Sequence, residues 1–238
     1  MIKKCKTILI SIITPLFNEE DHLKSFLFSI ERLDGDFELI LVDGGSTDKT
    51  VELIKTWQHK FNYDLRLLKT SKSRAIQMNK GSGNAKGDAL LFLHVDCIIP
   101  KDSIKIIEKE IYKKQAIGGG FKQSFRNADT FLNFLSAAGN LRTKLTKTFF
   151  GDFGIFIKKK IFIKAGGFDE IPYLEDVEFC RKAKKFGRFI QIDRYLVTSS
   201  RRFIEKGKLR LTFVFIIVNL INIIGLRPKF FIKYMIEK

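Results

Sequence analysis

Apolar and polar residues alternate along the first half of the chain in blocks of strand and helix length. Short continuous apolar runs bounded by turn residues predict strands buried on both faces, over 8–13, 37–42, 65–69 and 89–93. Between them, apolar residues at helical spacing predict helices over 18–33, 48–59 and 74–85, with another beginning at Asp102. Ser46 or Thr47 is expected to cap the second helix. This alternation predicts an α/β fold: a mainly parallel sheet with helices on both faces.

The second half of the chain is less regular. Its pattern predicts strands over 117–125, 153–157 and 188–192, an amphipathic helix over 129–147 and a helix over 175–186. The last helix begins with Glu175, Asp176 and Glu178 and ends in basic residues, which complements the helix dipole. With 238 residues, 45% of them hydrophobic, the chain can bury a sizeable core, and disorder is excluded for most of it.

A near-continuous apolar segment over 211–226 stands between Arg210 and Arg227. As a helix it would measure about 24 Å, which is shorter than the roughly 30 Å hydrocarbon core of a bilayer. It could be a helix buried against the domain or a helix lying in a membrane interface. The basic residues on both sides favour the interface. We therefore divide the chain into a domain over 1–205 and a C-terminal helical segment over 206–238.

The chain is strongly basic, with a formal net charge of +17 from 43 Lys and Arg against 26 Asp and Glu. An anionic membrane surface, an anionic substrate or simple surface decoration would each suit this charge. Nucleic acid is not expected, because no basic stretch carries the interleaved aromatic residues of an RNA-binding motif. Three widely spaced cysteines predict neither a disulfide framework nor a structural zinc site. The first apolar run is short and lacks a small-residue cleavage site, so it is interpreted as a strand and not as a signal peptide.

Two of the predicted strands lead to a carboxylate. Asp43 directly follows the strand over 37–42, and Asp96 closes the run that begins at Ala89. Either residue could merely shape a turn or cap a helix. Because open α/β sheets bind ligands beyond the carboxyl ends of their strands, the pair together predicts a site for a nucleotide and a metal ion.

Five segments, taken in order, resemble the family 2 glycosyltransferases, which have a GT-A fold. They are Ile13-Thr14-Pro15-Leu16-Phe17-Asn18-Glu19-Glu20, Val42-Asp43-Gly44-Gly45-Ser46-Thr47-Asp48, Leu93-His94-Val95-Asp96, Gly166-Gly167-Phe168-Asp169 and Glu175-Asp176. The stretch Arg74-Ala75-Ile76-Gln77-Met78-Asn79 is similar to the family's Arg-containing loop before its metal site. The chain's length, its His-Val-Asp form and Arg201-Arg202 further resemble the small subgroup labelled radical-SAM/selenodomain-associated transferases.

The resemblance implies a nucleotide diphosphate sugar as donor. It implies that Pro15, Phe17 and Glu19 line the nucleotide pocket, that Asp43 hydrogen-bonds the base and that Arg74 faces the base or the diphosphate. Asp96 is then the carboxylate that holds a divalent cation, Mg²⁺ or Mn²⁺, against the leaving diphosphate. Many members have Asp at the first position of the metal motif, where this chain has His94, a neutral and softer ligand.

The resemblance also implies that Asp176 is the catalytic base of an inverting reaction, with Glu175 supporting it or substituting for it. Retaining chemistry stays open. The expected place of action is the cytoplasmic face of the membrane, with peripheral attachment to anionic lipid and an acceptor that could be lipid-linked. Two alternatives are a nucleotidyltransferase and a non-enzymatic membrane-binding module. The first would carry a basic, Gly-rich loop where this chain has Thr14 to Glu19, and the second gives no role to the carboxylates.

Overall fold

A seven-stranded sheet forms the centre of the molecule, which a computed structural model describes over residues 8–223. The strands are β1 (Ile10–Leu16), β2 (Phe37–Asp43), β3 (Asp64–Lys69), β4 (Ala89–Phe92), β5 (Gly118–Phe125), β6 (Ile155–Lys158) and β7 (Phe189–Thr198). Their spatial order is β3-β2-β1-β4-β6-β5-β7. β6 is antiparallel to both of its neighbours, β4 and β5, and every other pair is parallel. The predicted fold class is therefore confirmed.

Alternate residues of the central strands pack on opposite faces of this sheet. Ile10 and Ile12 of β1 belong to one core with α1 (Glu20–Glu31), α2 (Thr50–Trp57) and α4 (Ser103–Tyr112). Ile13 belongs to the other, which includes α3 (Arg74–Asn84), α6 (Lys159–Lys164) and α7 (Glu175–Ala183). Since both faces are covered, the strands are continuous apolar runs rather than alternating ones.

The chain reverses its direction of travel across the sheet at β1. Strands β2 and β3 extend the sheet on one side of β1, and the next strand in sequence, β4, pairs with β1 on the other side. Helix α3 makes this crossover, and it approaches β1 so closely that a Cβ on Gly81 would lie 2.5 Å from Cγ2 of Ile13. The carboxyl ends of β1, β2 and β4 thus meet at the switch point where doubly wound sheets bind ligands.

Three further helices pack together beside β5 and β7. They are α5 (Thr130–Thr146), α8 (Arg201–Lys206) and α9 (Lys208–Ile223). Leu132, Phe203 and Leu211, one from each helix, share a small apolar core. Helix α9 includes most of the apolar segment predicted over 211–226, of which 224–226 lie outside the described residues. None of the helices within 8–223 is long and apolar enough to cross a membrane.

Several predicted elements differ from the structure at their ends. Helix α2 begins at Thr50, and neither Ser46 nor Thr47 caps it; Asp48 accepts the Thr50 N–H instead, at 3.0 Å. The segment expected to begin β6 at Phe153 is a short 3₁₀ turn, Gly151–Phe153. The last strand does not end at 192 but runs to Thr198, and α6 was not predicted.

Candidate active site

Two loops at the ends of β1 and β2 are held together by reciprocal hydrogen bonds. Asn18 has a positive φ of 53°, which turns its side chain toward the second loop, where its Oδ1 accepts the Thr47 N–H at 2.8 Å. Its own N–H donates to Ser46 Oγ at 2.9 Å. Glu20 accepts the Lys49 N–H, and Asp48 accepts the Glu20 N–H. The Asn-Glu-Glu and Gly-Ser-Thr-Asp segments therefore form one preorganised rim.

Asp43, the last residue of β2, lies directly before the second of these loops. It is 2% exposed, and its carboxylate accepts the N–H groups of Gly45 at 3.2 Å and Ser46 at 3.0 Å. Beneath it, the Gln77 amide of α3 donates to the carbonyls of Leu16 and Val42 at 2.8 and 2.7 Å. Gln77 thereby ties the ends of β1 and β2 together and fixes the loop that carries Asp43.

A cavity of about 130 Å³ opens beside the end of β4. Part of its lining, here called the polar wall, is charged or polar, and the rest, here called the apolar wall, is largely aromatic. The polar wall comprises Arg74, His94, Asp96, Asp152, Asp176, Thr198, Ser199 and Arg202. The apolar wall comprises Phe125, Phe150, Leu174, Phe203, Leu211 and Phe215. The cavity is thus suited to a ligand with a charged or hydroxylated end and an apolar neighbour.

Asp176 is a buried carboxyl group in the first turn of α7, with 7% of its surface exposed. It accepts the Gly151 N–H and the Val177 N–H, each at 2.7 Å. Burial and the nearby Glu175 carboxylate raise the pKa of Asp176 to about 7, against the opposing effect of Arg74. A carboxyl group with this pKa can take up or release a proton near neutral pH.

Glu175, the neighbouring carboxylate, is paired with Arg74. The two groups are 3.1 Å apart, and the Glu175 side chain is 3% exposed whereas that of Arg74 is 40% exposed. The Glu175 charge raises the pKa of the Arg74 guanidinium, so this arginine is a permanent cation at the cavity wall. Leu174, which directly precedes Glu175, has a left-handed backbone with φ of 59°. A non-glycine residue there costs about 1–2 kcal/mol, a strain of the kind found beside functional groups.

Asp152 is a further acid in the cavity wall. Its Oδ1 is buried and has no hydrogen-bond partner among the described residues. Burial and the nearby Asp96 charge raise the pKa of Asp152 to about 6. The preceding residue, Gly151, passes so close to His94 that a Cβ there would lie 2.5 Å from Nε2 of the imidazole. A larger residue at position 151 would therefore displace the His94 imidazole from its place beside Asp152.

The residues around Asp96 fit a hard divalent cation. Within residues 8–223, no three His, Cys, Asp or Glu side chains are grouped as they are in an all-protein metal site. Mg²⁺ and similar ions that accompany phosphates need only one or two carboxylates, because the phosphate oxygens and water complete the coordination. Asp96 and Asp152 provide two carboxylates at one cavity, and the unpartnered oxygen of Asp152 is suited to such a ligand.

The site residues predicted from the sequence fall into two groups. Arg74, His94, Asp96 and Asp176 line the cavity, and Glu175 joins them through its ion pair with Arg74. The other group lies at the ends of β1 and β2 and comprises Pro15, Phe17, Glu19 and Asp43, none of which lines this cavity. Pro15 pairs with Val42, Glu19 is buried, and the Phe17 ring lies 3.7 Å from Lys72 Nζ.

Three polar residues of this region were not predicted from the sequence as site residues. Asp152 lies between the predicted helix over 129–147 and the predicted strand over 153–157, and Gln77 was only one residue of the Arg74 stretch. Arg202 was named only with Arg201, in the resemblance to a subgroup, yet it lines the cavity. Burial and the neighbouring Arg74 lower the pKa of the Arg202 guanidinium, which indicates a desolvated cation. The one usable signal for Asp152 was its place directly after a glycine and before an apolar run.

Comparison with known proteins adds relatives and structural neighbours. A glucuronosyltransferase from Methanococcus voltae that acts on dolichyl N-acetyl-alpha-D-glucosaminyl phosphate is 33% identical over 122 residues, 46% of this chain and 38% of that protein. Staphylococcus aureus TarS 1-349 in complex with UDP-GlcNAc has a TM-score of 0.65 at 21% identity, covering 80% of this chain and 58% of that one. The mannosyltransferase PcManGT from Pyrobaculum calidifontis, in complex with GDP-Man and Mn²⁺, has a TM-score of 0.67 at 21% identity, covering 80% and 56%.

This chain covers less than two thirds of each of these three proteins. The two solved neighbours share its fold, and they are GT-A glycosyltransferases, as the sequence predicted. The family model described as glycosyl transferase family 2 matches residues 11–166, which include the rim loops, Arg74, Asp96 and Asp152. With that match covering more than half of its length, the chain belongs to glycosyl transferase family 2.

Proposed function

We propose that this protein transfers a sugar from a nucleotide diphosphate sugar to an acceptor hydroxyl, with inversion at the anomeric carbon. One observation carries the proposal. The buried Asp176 carboxyl group, with a pKa of about 7, faces the same cavity as Asp96 and Arg74. In such a transfer, Asp176 would act as the base, Asp96 would hold the cation and Arg74 would provide a fixed positive charge.

The nucleotide of the donor would bind at the rim between the ends of β1 and β2. Pro15, Phe17 and Glu19 would line its pocket, and Asp43 would hydrogen-bond the base. The hydrogen bonds that already hold the Asn18 and Ser46 loops together support this, because a preorganised rim loses little entropy on binding. Arg74 and Arg202 would lie toward the diphosphate, whose charge they oppose.

In the chemical step, the acceptor oxygen attacks the anomeric carbon and forms the new glycosidic bond. Its proton passes to the Asp176 carboxylate. The bond from the anomeric carbon to the diphosphate oxygen breaks, and its electron pair leaves with the nucleoside diphosphate. Arg74 and Arg202 stabilise the charge that develops there. Glu175 keeps Arg74 in place through their 3.1 Å ion pair.

A divalent cation, Mg²⁺ or Mn²⁺, would be held by Asp96 and Asp152, with His94 beside them. When bound, it would supply Lewis-acid stabilisation of the leaving diphosphate. The unpartnered Oδ1 of Asp152 supports this assignment, as does the binding of Mn²⁺ by PcManGT. Asp152 would then provide the second carboxylate that the His94-Val95-Asp96 motif lacks.

The experiment that tests the proposal is a thermal-shift panel of nucleotide sugars, each with and without Mn²⁺. A donor that binds the folded chain raises its melting temperature by mass action. We expect one class of nucleotide to give a Mn²⁺-dependent shift, and Asp96→Asn to remove it. A flat panel, with no nucleotide sugar changing the melting temperature, would count against a donor site.

We further propose that the 206–238 segment attaches the 1–205 domain to the cytoplasmic face of a membrane, where a lipid-linked acceptor would be presented. Support comes from the basic residues around the apolar segment. Leu211 and Val214 are nevertheless buried against the domain, so the described start of the segment packs on it. The resemblance to the radical-SAM/selenodomain-associated subgroup stays a prediction.

A further inference from the structure

Helix α5 presents an apolar face to solvent. Phe134, Leu141 and Leu145 are 71%, 59% and 73% exposed. Ala137 and Ala138 lie between them on the same exposed side. The pattern of an ordinary surface helix is reversed here, because the buried side of α5 carries the polar residues Ser136, Asn140 and Thr143. An exposed apolar stripe of this kind marks an interaction surface.

The charges on α5 are all positive. No Asp or Glu occurs between Thr130 and Thr146, and Lys147 directly follows the helix. Arg142 does not belong to the exposed side, because its guanidinium carbon lies 4.4 Å from the Phe150 ring and one of its nitrogens is buried. Lys144 lies on the exposed side, next to Leu141 and Leu145. A surface that combines large apolar side chains with basic groups is complementary to lipid headgroups of negative charge and to the acyl chains beneath them.

Helices α8 and α9 extend this surface. They pack against α5 through Leu132, Phe203 and Leu211, with Phe131 and Phe215 around them. Their outer sides expose Ile204, Leu209, Phe213 and Ile216, at 67%, 76%, 63% and 51%. Arg210 is exposed among them, and α9 has no acidic residue. We call the exposed apolar residues of α5, α8 and α9 the α5–α9 face.

We infer that the α5–α9 face docks on an anionic membrane, with α5 as an attachment element in its own right. The helices of this face also contribute to the cavity, which links membrane attachment to the active site. Phe203, Leu211 and Phe215 come from the same helices and form the apolar wall of the cavity. An acceptor anchored in the bilayer would therefore meet apolar side chains of α8 and α9 at the cavity that Asp176 also lines. The inference concerns residues outside the polar site, so vesicle binding tests it whether or not sugar transfer is demonstrated.

The experiment compares the full chain with a variant that carries Phe134→Gln, Leu141→Gln and Leu145→Gln together. All three side chains are exposed, so the variant should keep the fold, which circular dichroism and the melting temperature check. Cosedimentation is measured with vesicles of phosphatidylglycerol and phosphatidylcholine, and with phosphatidylcholine alone. Ile163→Gln is the matched control: this side chain is 66% exposed and stands between Lys160 and Lys164, but on α6.

The wild-type chain should bind the phosphatidylglycerol vesicles, less so at raised salt, and Ile163→Gln should bind equally well. Removing three inserting side chains should weaken binding by about 100-fold or more. Equal binding by the triple variant would overturn the role of α5. Equal binding to phosphatidylcholine alone would overturn the anionic preference. If the wild-type chain ignores vesicles but forms a dimer that the triple variant lacks, the face is a protein interface and the inference is wrong.

Discussion

Replacing Asp176 by Asn should inactivate the enzyme and stabilise the fold at the same time. The substitution keeps the shape of the side chain but removes its charge and its ability to accept a proton. Because a base acts only in the transition state, kcat should fall about 10²–10⁴-fold while donor binding stays nearly unchanged. In the wild type, the rate should rise with pH as Asp176 loses its proton, with a midpoint near its pKa of about 7.

The stability change follows from the same pKa. Because folding raises the pKa of Asp176 from 3.8 to about 7, the folded state favours the protonated form of this residue. Below about pH 4 Asp176 is protonated in both states and does not lower the free energy of unfolding. As the pH rises toward about 7, its ionisation lowers the free energy of unfolding by up to about 4 kcal/mol. The Asn variant avoids this cost but loses one accepted hydrogen bond, worth about 1–2 kcal/mol. We therefore expect a net gain of about 2 kcal/mol at about pH 8.

Urea unfolding at about pH 4 and about pH 8 measures the difference in free energy of unfolding between the wild type and Asp176→Asn. Steady-state kinetics at a saturating concentration of a donor that binds measures the loss of kcat. Asp193→Asn is the matched control, because Asp193 is exposed and pairs with Lys122 far from the cavity wall. It should leave kcat unchanged, and it should not stabilise the chain at about pH 8, because Lys122 lowers the pKa of Asp193. The reasoning fails if Asp176→Asn keeps more than about a third of the wild-type kcat, or if it destabilises the chain equally at both pH values.

Two further predictions concern the ion pair and the cation ligands. Arg74→Met should lower the free energy of unfolding by about 3 kcal/mol, because it leaves the buried Glu175 charge unpaired. Adding Glu175→Gln should restore much of that loss, and a double-mutant cycle with no coupling would contradict the pairing. A nucleoside diphosphate with Mn²⁺ should raise the melting temperature of the wild-type chain; Asp96→Asn should remove most of this rise and Asp152→Asn part of it. Identical shifts in all three proteins would argue against two carboxylate ligands.

The first half of the sheet was predictable because its strands are buried on both faces. That burial produces continuous apolar runs, each ended by a polar loop, so β1 to β4 and the positions of Asp43 and Asp96 follow from local pattern. The second half depends on pairings that are distant in sequence. Strand β7 continues past a register shift opposite Phe121 and Lys122, and its exposed Asp193 and Arg194 interrupt the apolar pattern. Helix α6 has only six residues, too few for a helical period to be recognised.

Asp152 illustrates why part of the site could not be predicted. It reaches the cavity because β6 pairs antiparallel with β4, which sets Ile155 opposite Phe92 and brings the turn before β6 beside the loop after β4. Nothing near Asp152 in the sequence encodes that register. Arg202 was hidden for a different reason, since a basic residue in a basic segment looks like surface charge until the fold buries it.

The cavity is formed by two parts of the chain, one within and one beyond the region that the family model matches. Arg74, Asp96 and Asp152 fall within the 11–166 region shared with the family, whereas Asp176, Arg202, Leu211 and the other residues of the apolar wall after 166 fall beyond it. Substitutions after residue 166 can therefore change part of the apolar wall without touching the rim loops at the ends of β1 and β2. We expect chimeras joined near residue 166 to keep the donor preference of their first half and to take the acceptor preference of their second.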